Sequence, residues 1–381
     1  MSARPVRTVV AILLAVAATW FVARSAFGAA NDRRPEVVTW RATLKDGPSD
    51  LAADADGVAV TTSAQSVYLL DANGHVRWRA SSDDMALGQP ALGPDLVVVG
   101  GMRSITAFAR ADGSRRWTLP RAAATNSVAV VGDSVLVGDD SGTLAALQGD
   151  SGAERWSVRY PGALWSGARV DHASGAVVAT WHQSESPAVR VLDLATGALR
   201  WEAPTDRYAA APAVHRGQVV LAIGDGDRHA RIEARDLATG EVRWHTAVPA
   251  SFEEAIEPAV DDRAVAVVDH FGVVTLLDPE TGRLRWQHDL ADVLLATRVV
   301  LTGNRVAFTS YAGVLHVLDR RDGHVVQTLD PRRLGGLPAA IASSPWGRSG
   351  QGGQGGLGGR GGGVLLALRL RDWGVQLRRL P

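Results

Sequence analysis

The residues best suited to bind a cation or a charged partner are aspartates in short loops. Asp225 and Asp227 occur in the sequence Gly-Asp-Gly-Asp at 224–227, and closely spaced carboxylates are typical of calcium-binding loops. The further oxygen ligands that such a loop requires do not follow in this sequence. We therefore expect no metal site here and assign both carboxylates to an acidic surface.

Sequence motifs for catalysis are missing from the chain. It has no Gly-x-Ser-x-Gly elbow, no His-Glu-x-x-His pair and no phosphate-binding P-loop. It also has no cysteine, which excludes disulfides, thiolate metal sites, cysteine nucleophiles and a lipid-modified cysteine anchor. The 40 basic residues balance the 40 acidic ones, so electrostatics gives no reason to expect a nucleic acid partner. No catalytic residue is predicted.

The N-terminal residues have the pattern of an export segment. Arg4 and Arg7 precede an apolar run at 8–23, and Arg24 follows it. The run fits either an uncleaved membrane anchor or a signal peptide cleaved near Ala30. Because arginines stay on the cytoplasmic side, both interpretations place the remaining chain on the extracytoplasmic side of the cell membrane, either tethered or secreted. We predict three segments, which are a targeting segment at 1–30, a linker at 31–36 and a folded body at 37–381.

A repeated Gly-x-x-x-Trp element organises the body. Seven copies follow one another at spacings of 39 to 45 residues, and Gln327 replaces the Trp in the last copy. Self-similarity at this period is typical of propellers and other repeat folds. The repeat glycines are Gly74, Gly113, Gly152, Gly197, Gly240, Gly282 and Gly323, and the tryptophans are Trp78, Trp117, Trp156, Trp201, Trp244 and Trp286.

The unit at 258–288 shows how one repeat is built. A short strand start at Pro258 is followed by two apolar runs, at 263–269 and 273–278. The sequence Pro-Glu-Thr-Gly at 279–282 then predicts a turn, because proline presets φ and glycine accepts a positive φ. An alternating segment at 283–288 completes the unit. Four short strands in each unit of about 40 residues predict a β-propeller.

The best-preserved copies resemble a known repeat. LDLATGALRW at 192–201, RDLATGEVRW at 235–244 and LDPETGRLRW at 277–286 are similar to the repeat of the PQQ-like (pyrroloquinoline-quinone-type) β-propeller superfamily. The resemblance covers about residues 36–381. It implies that the repeat tryptophans dock between neighbouring blades, and a ligand-binding aromatic cage is the alternative.

The two ends of the body complement each other. The segment VVTWRATL at 37–44 carries Trp40 on a last strand with no unit before it, whereas 338–380 supplies three strands without a fourth. We predict an all-β fold, an eight-bladed β-propeller closed by the N-terminal strand pairing with the C-terminal blade and preceded by one N-terminal hydrophobic helix. Closure removes the open edge of the sheet. The Gly-rich stretch at 347–363 is predicted to be a flexible surface loop.

One face of such a propeller carries the chemistry-bearing residues. Loops between second and third strands emerge on the same face as the links between blades, and in this chain both are acidic with interspersed aromatic residues. We predict that this face binds an envelope protein or peptide, and an ordinary polar surface is the alternative. The candidate partner residues are Asp139, Asp140, Tyr208, Asp225, Asp227, Phe252, Glu253, Glu254, Asp269 and His270.

The resemblance implies two classes of function. The chain resembles propellers that assist outer-membrane protein assembly and sensor propellers attached to bacterial kinases, which implies a non-enzymatic protein-binding scaffold or a small-ligand sensor. Quinoprotein dehydrogenases of the same superfamily imply PQQ, calcium and a catalytic aspartate. The chain lacks the adjacent cysteines usual in those enzymes. A PQQ-dependent oxidoreductase is therefore the alternative, and neither PQQ nor calcium is expected.

Overall fold

The described part of the protein consists of strands, turns and loops, without a helix. No helix in it could therefore span a membrane. The predicted segments at 1–30 and 31–36 lie outside this part, as does the Gly-rich stretch except Gly363, which begins a strand. The computed structural model describes residues 38–42, 44–54, 56–71, 73–164, 167–181, 187–205, 208–209, 211–224, 230–248, 257–269, 271–290, 299–310, 314–329, 336–344, 363–370 and 375–380.

Thirty-three strands form eight antiparallel sheets, seven with four strands and one with five. Sheet 1 holds β2 (Pro48–Ala53), β3 (Val58–Thr62), β4 (Ser66–Leu70) and β5 (Val76–Ser81). Sheet 2 holds β6 (Ala91–Leu92), β7 (Leu96–Gly100), β8 (Ser104–Ala109) and β9 (Arg115–Pro120). Sheet 3 holds β10 (Thr125–Val131), β11 (Ser134–Asp139), β12 (Thr143–Gln148) and β13 (Glu154–Arg159). Sheet 4 holds β14 (Arg169–Asp171), β15 (Ala176–Trp181), β16 (Ala188–Asp193) and β17 (Leu199–Pro204).

The remaining sheets follow the same order along the chain. Sheet 5 holds β18 (Tyr208–Ala209), β19 (Ala213–His215), β20 (Gln218–Gly224), β21 (Ala230–Asp236) and β22 (Val242–Val248). Sheet 6 holds β23 (Ala259–Asp261), β24 (Ala264–Val268), β25 (Val273–Leu277) and β26 (Leu284–Asp289). Sheet 7 holds β27 (Val299–Thr302), β28 (Arg305–Thr309), β29 (Leu315–Asp319) and β30 (Val325–Leu329). Sheet 8 holds β1 (Val38–Ala42), β31 (Gly336–Ser344), β32 (Gly363–Leu370) and β33 (Val375–Leu380).

The first strands of the sheets contact one another in sequence. These contacts join β2 to β6, β6 to β10, β14 to β19, β19 to β23, β23 to β27, β27 to β31 and β31 to β2. Sheets 3 and 4 share an apolar cluster that includes Val131 and Val177. Sheets arranged side by side in this way, with their first strands innermost, are typical of a β-propeller. The all-β prediction is confirmed.

Apolar clusters fill the space between adjacent sheets. Val220 and Trp244 of sheet 5, for example, pack with Val267 of sheet 6. In sheets 1 to 7, where side chains are described, the second and third strands are buried along nearly their whole length because both faces are covered, as in β3 and β4. The fourth strands instead alternate between exposed and buried residues, since each forms the outer edge of its sheet.

The N-terminal and C-terminal strands pair within sheet 8. Strand β1 is antiparallel to β33, with Val38 opposite Arg379, Trp40 opposite Leu377 and Ala42 opposite Val375. The outer strand of this sheet therefore comes from the start of the chain, while its other three strands come from the end.

Candidate functional site

Each described repeat tryptophan contacts the next sheet in the chain. The indole Nε1 of Trp78 donates to the carbonyl oxygen of Arg110 at 2.9 Å, and that of Trp244 donates to Pro279 at 3.1 Å. Equivalent bonds of 2.8 to 2.9 Å lead from Trp117, Trp156, Trp201 and Trp286 to Gly149, Leu194, Leu237 and Arg320. The side chain of Trp40 lies outside the description. The contacts run in one direction around the molecule.

The repeat glycines provide the space for these indoles. A Cβ atom on Gly113, Gly152, Gly197, Gly240, Gly282 or Gly323 would lie less than 3.0 Å from an indole carbon of the preceding sheet. All six have a positive φ of 68° to 77°, a backbone conformation in which other residues are strained. Gly74 has a φ of 85° at the equivalent place in sheet 1. The six glycines next to indoles are therefore needed for two reasons: the turn requires a positive φ, and a side chain would overlap the indole.

A bulge precedes each of these tryptophans. In sheets 1 to 7 the register between the third and fourth strands shifts at one equivalent point. In sheet 5 the bulged residue is Arg243, which donates to Asp236 of its own turn at 2.6 Å. Hydrogen bonding from Arg243 lowers the pKa of Asp236 to about 2. The Asp-x-x-Thr-Gly aspartates thus stabilise turns and are not free to react.

The molecule has two distinct ends. We call the end with the loops between second and third strands and the links between sheets the loop face, and the opposite end the turn face. Backbone bonds such as Arg121 N to Arg103 O and Thr205 N to Pro187 O join the two kinds of loop-face segment. Of the predicted partner residues, the four that the structure describes belong to this loop face, and they are Asp139, Asp140, Tyr208 and Asp269.

Two of those predicted residues are not exposed. Asp139 is 3% exposed and accepts hydrogen bonds from the backbone amides of Ser141 and Thr143 and from Arg121. Asp269 is 2% exposed and accepts bonds from the amides of Phe271 and Val273. Their carboxylates hold the loops in shape and cannot present free charge to a partner.

The other candidates divide into two groups. Asp140 is exposed and is hydrogen-bonded to the side-chain amide of Asn126. The backbone of Tyr208 pairs with Gly224, and its side chain lies outside the description. The remaining candidates, which all lie outside the described residues, are Asp225, Asp227, Phe252, Glu253, Glu254 and His270.

Asp84, which the sequence also places in an acidic link between sheets, has a structural role on the loop face. Its carboxylate is buried between the link from sheet 1 to sheet 2 and the loop from β7 to β8. It accepts hydrogen bonds from the amides of Arg103 at 2.7 Å, Ser104 at 2.9 Å and Met85 at 2.9 Å. Burial raises the pKa of Asp84, but these bonds outweigh burial and leave the pKa below its usual value. The ionised group therefore fixes both segments.

A buried arginine lies beneath the loop face between sheets 3 and 4. The guanidinium carbon of Arg190 is 4.2 Å from the ring centre of Tyr160 and 5.2 Å from that of Trp181. Its Nε donates to Glu202 at 3.0 Å, whereas Nη1 has no hydrogen-bond partner. Cation–π contacts offset part of the cost of burying this charge. Nothing in the local sequence predicts the cluster, because its members come from separate strands.

Two Arg–Asp pairs with buried arginines join neighbouring sheets near the turn face. Arg110 of sheet 2 donates to both carboxylate oxygens of Asp54 in sheet 1, at 2.6 and 2.7 Å. Arg320 of sheet 7 forms the same kind of two-bond contact with Asp261 of sheet 6. Each arginine follows the third strand of its sheet and also donates to a glycine carbonyl near a first strand. The pairs occupy equivalent places in the repeat.

Ligands for a metal ion are not assembled in the described residues. No group of three or more His, Asp or Glu side chains there could hold one. At the inner strands, Arg169 of sheet 4 donates from Nε to Glu257, just before β23 of sheet 6, at 2.9 Å. An ion pair therefore links the inner edges of two sheets that are not neighbours.

Comparison with known proteins gives one consistent family. The family model described as outer membrane protein assembly factor BamB matches residues 29–179, 162–291 and 228–367. The outer membrane protein assembly factor BamB of Burkholderia pseudomallei is 27% identical over 323 residues, which are 80% of this chain and 71% of that protein.

Solved structures share the fold. The crystal structure of BamB from Moraxella catarrhalis has a TM-score of 0.68 and 18% identity, covering 91% of this chain and 97% of that one. A quinohemoprotein alcohol dehydrogenase from Pseudomonas putida has a TM-score of 0.65 and 12% identity, covering 90% of this chain and 75% of that one. At these identities the likeness concerns the fold alone.

Proposed function

The chain belongs to the family of the outer membrane protein assembly factor BamB, and on this premise we propose that it is a non-enzymatic scaffold of the bacterial envelope. It would bind another envelope protein through the loop face and act in outer membrane protein assembly. The similarity to the outer membrane protein assembly factor BamB of Burkholderia pseudomallei supports this role.

One observation carries the proposal. Three loop-face carboxylates, those of Asp84, Asp139 and Asp269, are built into the loops and accept backbone amide bonds. Loops fixed in this way form a surface of constant shape, which lowers the entropic cost of binding a partner. The same carboxylates are unsuited to catalysis, because they have no solvent-facing position from which to contact a substrate.

We further propose that the eight sheets are eight blades of a closed ring. The pairing of β1 with β33 and the contact of β31 with β2 support closure. A chain that begins at Leu44 lacks β1, keeps β2 whole and leaves β33 as an unpaired outer edge. We expect that chain to aggregate or to unfold at lower urea concentration than the whole chain. Equal solubility and equal unfolding would contradict closure by β1.

The N-terminal segment would hold this ring on the extracytoplasmic side of the membrane. The flanking arginines and the apolar run at 8–23 support that placement. Membrane fractionation followed by N-terminal sequencing separates the two forms of the proposal. A membrane-bound chain that retains residues 1–30 indicates an anchor, and a released chain that begins near residue 31 indicates a cleaved signal.

Charge reversal tests the loop face. The variant with Asp225→Arg, Asp227→Arg and Glu254→Arg changes three predicted partner residues around sheet 5. In crosslinking and pull-down from envelope membranes, we expect it to lose a protein that the natural chain captures. The matched control reverses three exposed carboxylates on the turn face, Asp150→Arg, Glu241→Arg and Glu280→Arg. If both variants capture that protein as well as the natural chain does, the acidic loops are not the binding site.

The alternative is a quinoprotein-type oxidoreductase, which the fold of the Pseudomonas putida dehydrogenase permits. The residues present do not match such an enzyme. The described residues contain no group of three or more side chains that could hold a metal ion, and the chain has no cysteine. Adding PQQ with calcium should leave the melting temperature unchanged and produce no dye reduction. A raised melting temperature together with turnover would favour the enzyme over the scaffold.

A further inference from the structure

Two methionines lie side by side on the loop face. Met85 belongs to the link between sheets 1 and 2, and Met102 belongs to the loop between β7 and β8. The amide of Met102 donates to the carbonyl oxygen of Met85 at 3.3 Å, and Ala86 and Gly101 form a β-bridge beside them. Residues 17 positions apart in sequence thus share one small patch of surface.

The backbone beneath this pair is fixed while the side chains are exposed. The Asp84 carboxylate binds the amides of Met85 and Arg103 from the two segments. A Cβ atom on Gly101 would overlap that carboxylate, so the segments are in close contact. Met85 is nevertheless 44% exposed and Met102 is 48% exposed. Solvent therefore reaches both side chains without any opening of the fold.

These thioethers are a large part of the sulfur chemistry available to the chain. It contains no cysteine and three methionines, the third being Met1. The apolar clusters between the sheets are built from aliphatic and aromatic side chains, and neither Met85 nor Met102 belongs to them. A chemical change at these two sulfurs consequently alters the surface and leaves the core packing intact.

We propose that Met85 and Met102 form a paired oxidation site, at which hydroperoxides convert both thioethers to sulfoxides while the propeller stays folded. A sulfur lone pair attacks the terminal peroxide oxygen, the O–O bond breaks and an S–O bond forms. The sulfur loses two electrons, the hydroperoxide is reduced, and the released oxygen leaves as water or an alcohol after taking up a proton. Sulfoxides are reversible modifications that turn an apolar side chain into a polar one.

Oxidation of this pair would change the polarity of the loop face, which is the surface proposed to bind the partner. Methionines are common at surfaces that accept varied partners, because their side chains are flexible and polarisable. Two sulfoxides would replace this apolar contact area with polar oxygens that a partner must desolvate. We expect oxidation to weaken capture of the partner, a consequence that rests on the proposed function. The oxidation itself does not depend on that function.

The experiment treats the whole chain with hydrogen peroxide and follows it in three ways. Peptide mass mapping should show one added oxygen on each methionine, at rates within a few-fold of a free methionine peptide. The melting temperature should change by less than about 2 °C, a small shift for a protein of this size. Pull-down should recover several-fold less partner after oxidation.

Two variants make the result specific. Met85→Leu with Met102→Leu keeps the volume and cannot form sulfoxides, so peroxide should not reduce its capture of the partner. Met85→Gln with Met102→Gln imitates the polar state and should bind as weakly as the oxidised chain. Protection of either sulfur until the chain unfolds, or a large fall in melting temperature on oxidation, would overturn the proposed site.

The binding readout separates the two proposals. If oxidised and reduced chains capture the same amount of partner, the role of the pair in binding is wrong and the scaffold proposal stands. If the untreated chain captures no partner, the scaffold proposal fails. Mass mapping and melting then still decide whether the pair is an oxidation site.

Discussion

Replacing Asp261 by asparagine should destabilise the protein more than the same replacement of Asp54. Both changes leave a buried arginine without its opposite charge, which costs about 3–5 kcal/mol in a fully buried pair. The side chain of Asp261 is 17% exposed and that of Asp54 is 36% exposed. Water can therefore solvate the unpaired guanidinium of Arg110 more easily than that of Arg320. We expect about 3 kcal/mol for Asp261→Asn and about 1–2 kcal/mol for Asp54→Asn.

Urea unfolding followed by tryptophan fluorescence measures both costs. In a double-mutant cycle, adding Arg320→Leu to Asp261→Asn should recover about 2 kcal/mol or more, because the unpaired buried charge is removed. The backbone carbonyl of residue 320 still accepts the bond from Trp286 in that variant. Equal costs at the two aspartates, or a larger cost for Asp54→Asn, would refute the argument from exposure.

The pH dependence gives a second check on Asp261. Burial raises its pKa, but the hydrogen bonds from Arg320 and from backbone amides outweigh burial, so its pKa lies below the ordinary 3.8. A group whose pKa is lower when folded stabilises the protein above its unfolded pKa and loses that effect as pH falls. The stability difference between the natural chain and Asp261→Asn should therefore shrink as pH falls below about 4.

Three further changes test the repeat. Gly240→Ala places a Cβ 2.8 Å from an indole carbon at a φ of 77° and should lower the free energy of unfolding by about 2–4 kcal/mol in urea. The control, Gly132→Ala, has a φ of 60° and open space around the Cβ, so it should lower that free energy by about 1 kcal/mol. Because Arg243 lowers the pKa of Asp236 from 3.8 to about 2, the urea midpoint of the natural chain should fall over that interval on acidification, and Asp236→Asn should remove part of this fall. Trp181→Phe keeps an aromatic ring but loses the 2.9 Å bond from Nε1 to the carbonyl oxygen of Gly142 and leaves a cavity at a fully buried site, so urea unfolding should show a loss of about 2–3 kcal/mol. A loss below about 1 kcal/mol would mean that neither the bond nor the packing of this indole adds much stability.

The turns and sheets could be predicted because their causes are local. Glycine with a positive φ, an aspartate that binds nearby amides and a Trp four residues after the glycine all fall within ten residues of sequence. The same repeat therefore identifies the turn before the fourth strand in sheets 1 to 7. The complementary ends of the chain likewise predicted which strands would pair in sheet 8, as β1 and β33 show.

The exposure of the loop-face aspartates was harder to predict, because an aspartate in a loop sequence can either face solvent or accept hydrogen bonds from the loop backbone. Asp139 and Asp269 were expected to be exposed, yet each begins an Asp-x-x-Gly turn and binds the amides two and four residues later. Asp71 makes the same two bonds in the turn of sheet 1. The glycine three residues after each aspartate was the available signal, and it indicates a structural role.

The Arg–Asp contacts between sheets, unlike the tryptophan contacts, could not be read from the sequence. Asp54 and Arg110 are 56 residues apart, and Asp261 and Arg320 are 59 apart. Only the packing of neighbouring repeats brings them together. The Met85–Met102 pair is similar, because a link and a loop must first be placed on one face before the two side chains become neighbours.

The one-way contact from each tryptophan to the following turn has an evolutionary consequence. Sheets 2 to 6 each offer an indole on one side and an accepting turn on the other, as Trp201 and Gly240 illustrate between sheets 4 and 5. If one of these units were duplicated, the copy could lie beside the original and form the same tryptophan-to-turn contacts with both of its neighbours. The interfaces alone do not set the number of units. That number depends on the join at sheet 8, where Gln327 replaces the expected Trp in the sheet before it. Changes in the number of units across related proteins should consequently be accompanied by changes at this join.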